Sequence, residues 1–301
     1  TKTGTILLIG ATYETSPTRR EIRDLVESNL EDPHPIDDGV FAETDIPVLS
    51  LSENGSIEGA TATKVWKREA PEQMYQVSLS DGSELEITPS HPLFTLDGTS
   101  PTAVNAEELS EGTFVAVPRD TTQTADNTLE VSYRSSKSNN AVRIDLPPEW
   151  TPGLARLLGY IVAEGYAEIR DDNTAYVGVT NDEEAVLADV ESQFGELGLG
   201  VTKRQSHPGK SAREHICNSS EFATFLESLD SRLLEGSAEQ RVPEPIFETS
   251  KSIRAAFLKA YIEGEGHVSA KEREIAVASV SAELLEDVRS LLLSLGIRAH
   301  F

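Results

Sequence analysis

A nine-residue pattern occurs twice in this chain of 301 residues: LLGYIVAEG at 157–165 and LKAYIEGEG at 258–266. Each is an apolar helical run that closes in a small residue, a carboxylate and a glycine. Gly159 and Ala163 fall at i, i+4 on one helical face, and Ala260 and Gly264 do the same, so two helix backbones can approach closely along those faces. The carboxylates at the closed ends, Glu164 and Glu265, then meet. Two like charges brought together cost on the order of several kcal/mol and are tolerated where a divalent cation bridges them. Hard oxygen ligands suit Mg2+.

The sequels of the two runs also match. YVGVTNDEEAVLADVESQFGELGLGV follows the first and IAVASVSAELLEDVRSLLLSLGIRAH the second. Both read as a short strand, a polar turn, an amphipathic helix and a leucine-glycine stop. An ordinary buried helix before a turn explains either run alone; two runs with one sequel make an internal repeat related by a pseudo-twofold.

This repeat resembles the two LAGLIDADG motifs of homing endonucleases. The segment before the second run, RVPEPIFETSKSIRAAFLKAYIEGEG, is similar to that family's lead-in. The resemblance implies an α/β saddle with strands over double-stranded DNA and the motif helices at its dyad. It also implies Mg2+-dependent phosphodiester hydrolysis, with Glu164 and Glu265 as catalytic, metal-binding acids. The family commonly has Asp there, and the longer side chain shifts the metal.

Composition pulls the other way. Against 51 Asp and Glu there are 26 Lys and Arg, a net charge of −25, which taken alone argues against a nucleic-acid partner. A high-salt cytoplasm, where self-repulsion is screened, accounts for such a surface. One cysteine, Cys217, excludes an internal disulfide framework and fits a reducing compartment. No apolar run approaches the roughly eighteen residues that span a bilayer and no signal peptide opens the chain, so a cytoplasmic monomer without a membrane partner is expected.

The first half reads as mostly β: a helix near 20–27, strands at IPVLSL, TATKVWKRE and MYQVSLS, and a hairpin turn at 80–83. LEITPSHPLFTL places Thr88 and His91 two residues apart across Pro89, close enough to face one pocket. A histidine that donates a proton near neutral pH beside a hydroxyl that fixes an amide is usable chemistry; a structural histidine in a turn is the plainer reading. After it comes AEELSEGTFVAVPRD, a helical turn and then an apolar strand closed by Pro118 and Arg119.

The order T-x-x-H, ELSEG, VAVPR resembles the N-terminal splicing region of inteins, the Hint fold. The resemblance implies that Thr88 and His91 bind and strain the amide at the upstream splice junction. It makes Gly4, Thr5 and the following ILL part of the first intein block, with the nucleophile immediately before Thr1 or, as a weaker nucleophile, Thr1 itself. The downstream splicing strands and terminal Asn are missing, and the second repeat reads as truncated after Gly296. As it stands the chain is expected neither to splice nor to cut efficiently.

In the acidic second half, 201–216 (VTKRQSHPGKSAREHI) is the most basic stretch. As a hairpin with Pro208 and Gly209 at its tip it would lay Lys203, Arg204, Lys210 and Arg213 along a DNA groove. A solvated hairpin balancing local charge is the bland alternative. Cys217 reads as a packed strand residue.

The expected architecture is therefore multidomain, β plus α/β. Residues 1–145 form the N-terminal part of an all-β Hint horseshoe with its linker, and 146–301 a pseudo-twofold LAGLIDADG saddle. The expected function is protein splicing between host exteins in cis, without a cofactor, coupled to Mg2+-dependent double-strand cleavage at an intein-less insertion site. The alternatives are a degenerate intein that no longer cuts, a free-standing LAGLIDADG endonuclease, and a DNA-binding regulator.

Overall fold

The computed structural model describes residues 22–52, 55–117, 125–130, 132–135, 142–172, 174–206 and 211–300. The chain divides into two compact units, Thr1–Thr124 with Leu293–Phe301, and Ala125–Leu292. The residues expected to form the first splicing block, Thr1, Gly4 and Thr5, lie outside the described residues, as do Pro118, Arg119 and Lys210.

The first unit begins with α1 (Ile22–Ser28) and continues almost entirely in strands. β1 (His34–Ile36), β2 (Gly39–Leu51) and β3 (Ile57–Arg68) form an antiparallel sheet in that order. The β2–β3 register slips between Glu43 and Ile46, a bulge of the kind that bends a long strand pair. Two hairpins follow, β4 (Tyr75–Ser78) with β5 (Glu84–Ile87), and β6 (Pro92–Asp97) with β7 (Ser100–Asn105). The first turns where expected: Gly82 takes φ 81°, and the Asp81 carboxylate accepts from the Ser83 backbone N–H at 3.0 Å.

A short 3-10 turn, Ala106–Glu108, matches the expected helical turn. The apolar strand expected after it does not form over 113–117. Phe114 is 86% exposed, and Ala116 makes a backbone bond to Phe94 at 2.7 Å without a ladder around it. An apolar run with nothing to cover it gains little from pairing.

The second unit is built on α2 (Pro152–Glu164). Thr151 caps it by accepting from the Leu154 N–H at 3.1 Å, and Pro152 occupies the first turn, where its missing N–H costs nothing. The chain continues through β8 (Gly165–Ile169), β9 (Ala175–Asn181), α3 (Glu184–Glu196), β10 (Thr202–Gln205), β11 (Arg213–Cys217) and α4 (Ser220–Leu229). The sheet order is β10-β11-β9-β8, antiparallel throughout. Val177 and Val179 of β9 are buried toward α2, α3 and α4, where Phe194 and Phe222 meet edge to face at 5.2 Å.

The repeat then recurs as α5 (Glu244–Glu248), α6 (Lys251–Glu265), β12 (His267–Ser269), β13 (Glu274–Ala276) and α7 (Ala282–Ser294). Both leucine-glycine stops are real: Gly198 has φ 72° and Gly296 φ 80°, left-handed positions that end α3 and α7. The short strand of the second repeat, β13, stops at Ala276, and among the described residues its ladder has two strands.

Residues ahead of α2 are fastened to this unit. Trp150, buried, donates to the Asn127 carbonyl at 2.7 Å, and the Ile144 N–H donates to Glu221 at 3.1 Å.

Candidate active site and nucleic-acid interface

The packing of α2 on α6 is set by four small residues in register. A methyl group built on Gly159 would lie 2.4 Å from the Phe257 carbonyl oxygen and 2.9 Å from the Ala260 Cβ. One built on Gly264 would lie 2.7 Å from the Ala163 Cβ. Gly159 aligns with Ala260 in the repeat and Ala163 with Gly264, so each residue touches its own counterpart, as a pseudo-twofold between the helices requires. The glycines after the acids are needed for a second reason. A Cβ on Gly165 would sit 2.4 Å from the Ile161 carbonyl oxygen, and one on Gly266 2.3 Å from that of Ile262. Only glycine lets the chain turn from helix into strand so closely.

This places Glu164 and Glu265 at equivalent helix ends. Burial, then the negative charges of Glu265 and Asp182, raise the Glu164 carboxyl from 4.5 to about 7. Burial raises Glu265 as well. Among the described residues neither carboxylate has an ion-pair partner. The same residues contain no cluster of three or more His, Cys, Asp or Glu fit to hold a metal. Two oxygen donors with surplus negative charge suit a hard divalent cation that keeps water and phosphate as its remaining ligands.

Beside the pair lies a network that the motifs alone do not single out. Arg156 donates to Asp189 and Glu263, each at 2.7 Å, tying α2 to α3 and α6. The Tyr160 hydroxyl lies 2.9 Å from Asp189 and 2.8 Å from Glu263. Burial and these two carboxylates push the Tyr160 phenol upward. A signal existed in the repeat: ADVES and EDVRS align Asp189 with Asp287, and Asp287 is buried and likewise paired, with Arg241.

The basic hairpin forms as β10 and β11, but its cations do not share a face. Lys203 stands opposite His215, which is buried toward α3, and pairs with Glu191 at 2.6 Å. Arg213 pairs with Glu184, also on α3, at 3.4 Å. Side chains alternate along a strand, so Arg204 points to the other face, where it pairs with its cross-strand neighbour Glu214. The single groove expected for Lys203, Arg204, Lys210 and Arg213 is thus divided by the register, and every described cation of the hairpin has a carboxylate partner. Cys217 is buried, its thiol pushed up to about 12 by burial, as befits a packed strand residue.

In the first unit, Thr88 and His91 bracket a tight turn over Pro89 and Ser90, with the His91 N–H donating to the Thr88 carbonyl at 3.0 Å. The His91 carbonyl accepts from Ala106 at 2.9 Å, fixing the turn to the 3-10 segment. Burial lowers the His91 pKa, so the imidazole is neutral at physiological pH.

Residues 152–230 and 252–301 match the LAGLIDADG-like domain family. The wider comparisons are with parts of larger proteins. A subunit of the A-type ATP synthase of Pyrococcus abyssi is 25% identical over 82% of this chain and 24% of its own length. The probable translation initiation factor IF-2 of Methanocaldococcus jannaschii is 24% identical over 82% of this chain and 25% of its own. This chain therefore spans about a quarter of the curated relatives it matches. Among solved structures, the PabCDC21-1 intein is 28% identical over 38% of this chain and 72% of that one, with a TM-score of 0.33. I-DmoI, solved with DNA and Mn, is 21% identical over 49% and 80%, with a TM-score of 0.35.

Proposed function

We propose that the chain belongs to an intein and that its second unit is a LAGLIDADG homing endonuclease cutting double-stranded DNA. The observation that carries the nuclease reading is the convergence of Glu164 and Glu265 at the ends of helices packed residue against counterpart, with no cation among the described residues to neutralise them. Mg2+, when bound there, supplies charge to activate water and steady phosphate oxygens. The residues' own part is to hold oxygen donors in place and to yield the proton that Glu164 keeps up to about pH 7. Mg2+ competes with that proton, so the Mg2+ concentration needed for cleavage is expected to fall as pH rises through that value.

The insertion reading is supported by what the relatives are. A segment covering 82% of this chain recurs inside part of an ATP synthase and inside an initiation factor, proteins with no common task. A mobile element placed in unrelated hosts explains this; a functional domain of either host does not. In the splicing unit, an N-terminal Hint horseshoe, Thr88 and neutral His91 would hold the upstream junction amide, with the exteins joined in cis.

The test uses the full-length gene and DNA in which the two flanking coding segments are joined. Glu164→Gln and Glu265→Gln are each expected to abolish Mg2+-dependent cutting while leaving a shortened, spliced host protein. Wild-type cutting rates in both variants would refute the site. An element that splices without cutting is favoured by one observation, the pairing of every described hairpin cation with an acid. Intact DNA with spliced host would establish it.

A further inference from the structure

The sheet face turned away from α3 carries its positive charges already matched. Arg204 and Glu214 are direct cross-strand partners and an ion pair, and the Tyr166 hydroxyl donates to the same carboxylate at 3.2 Å. At the far edge Arg170 pairs with Glu168 at 3.3 Å and lies 4.9 Å over the Tyr176 ring, whose hydroxyl donates to Glu168. Tyr166 and Tyr176 meet edge to face at 5.9 Å between the two pairs. The side chains of Arg204 and Arg170 are 60% and 53% exposed, within reach of a ligand.

We propose that this face binds the DNA backbone by partner exchange: Arg204 and Arg170 leave Glu214 and Glu168 for phosphate oxygens, and the released carboxylates take up cations from solution. The inference rests on the reading of the second unit as a DNA endonuclease. A guanidinium grips phosphate and carboxylate with the same fork, so like replaces like. Tyr166 and Tyr176 remain as donors to the freed acids.

The consequence lies in salt dependence. An ordinary cationic contact releases counterions from DNA, so log affinity falls by about 0.9 per contact for each tenfold rise in salt. Here each contact also leaves a carboxylate that draws a cation back, and the two effects oppose. An interface of this kind keeps its affinity at salt concentrations that strip an ordinary one. It suits a chain of net charge −25.

The test is binding of the full chain to a mixed-sequence duplex of about 30 base pairs in EDTA, by fluorescence anisotropy between about 0.1 and about 1 M KCl. For Glu168→Gln/Glu214→Gln, which leaves both arginines free, the salt slope is expected to steepen by about 1.8, or about 60-fold more affinity lost across that range than in wild type. If the double variant fails to fold, Glu214→Gln alone should show about 8-fold. Duplex binding by the variant and none by wild type at about 0.1 M would show that the carboxylates keep their arginines, and would overturn the exchange. Equal slopes overturn it. If Arg170→Gln/Arg204→Gln also binds like wild type, DNA sits elsewhere and the exchange fails while the endonuclease reading stands. No binding by any form overturns both.

Discussion

Gly264→Ala and Gly159→Ala add the same methyl group to the same helix pair, and the structure gives them different fates. At Gly264 the new Cβ meets one obstacle, the Ala163 Cβ at 2.7 Å, with the next atom at 3.8 Å. Carbon atoms prefer about 3.5–4.0 Å, so the helices must part by about 1 Å, an overpacking cost of about 1–3 kcal/mol. Alanine returns about 0.5–1 kcal/mol through helix propensity, leaving a net loss of about 0.5–2 kcal/mol. Exchanging the residues, Ala163→Gly/Gly264→Ala, moves the methyl to the other helix and should restore wild-type stability to within about 0.5 kcal/mol, because propensities cancel. At Gly159 the obstacle is the Phe257 carbonyl oxygen at 2.4 Å, which no side-chain change removes. Gly159→Ala/Ala260→Gly should therefore stay as unstable as Gly159→Ala. Urea unfolding followed by circular dichroism reads both pairs, with about 2–4 °C in Tm per kcal/mol as a second measure. Equal rescue at the two layers, or none at either, would refute the helix register.

Two further outcomes follow from the acids and the tyrosines. Glu164, raised from 4.5 to about 7, binds its proton more tightly folded than unfolded, so its ionisation costs stability progressively as pH rises between those values and not at all below 4.5. The full shift corresponds to about 3.4 kcal/mol, discounted to about 1–2 kcal/mol for a half-exposed group. Glu164→Gln in EDTA should then stabilise by that amount at pH 8 and by nothing at pH 4, and a pH-independent difference would sink the assignment. Tyr160 and Tyr261 are repeat counterparts, yet the Tyr160 hydroxyl has two carboxylate neighbours while that of Tyr261 is buried without a partner among the described residues. Tyr160→Phe should cost about 1–2 kcal/mol and Tyr261→Phe nothing or less in thermal melts; equal losses would contradict the asymmetry.

What the sequence shows of this molecule is what repeats with a fixed period. Gly159, Ala163, Ala260 and Gly264 announce a close helix pair because small residues four apart share a face, and the structure packs them against one another. The strand, turn, helix and glycine stop recur because each is a local choice. Contacts between elements do not repeat in the sequence, and there the reading falls short. Lys203 and Arg213 look free in their hairpin, yet Glu191 and Glu184 come to them from a preceding helix. The strand expected at 113–117 has the right residues and, among the described residues, no neighbour to cover Phe114.

The two halves of the repeat also diverge where chemistry would need them to. Arg156 aligns with Phe257 and Glu263 with Val162, so the ion pair between α2 and α6 exists once, on one side of the pseudo-twofold. Asp189 and Asp287 occupy matching sites, but one is held from α2 by Arg156 and the other by Arg241, which precedes α5. The two small-residue layers offer different contacts, Gly159 against a backbone carbonyl and Gly264 against the Ala163 Cβ, and together they set the register of the helix pair. The single Arg156–Glu263 pair adds to this, making the same register better still than its neighbours. Seam and ion pair thus act together on the spacing of the helix ends that carry Glu164 and Glu265, the spacing on which any shared cation depends.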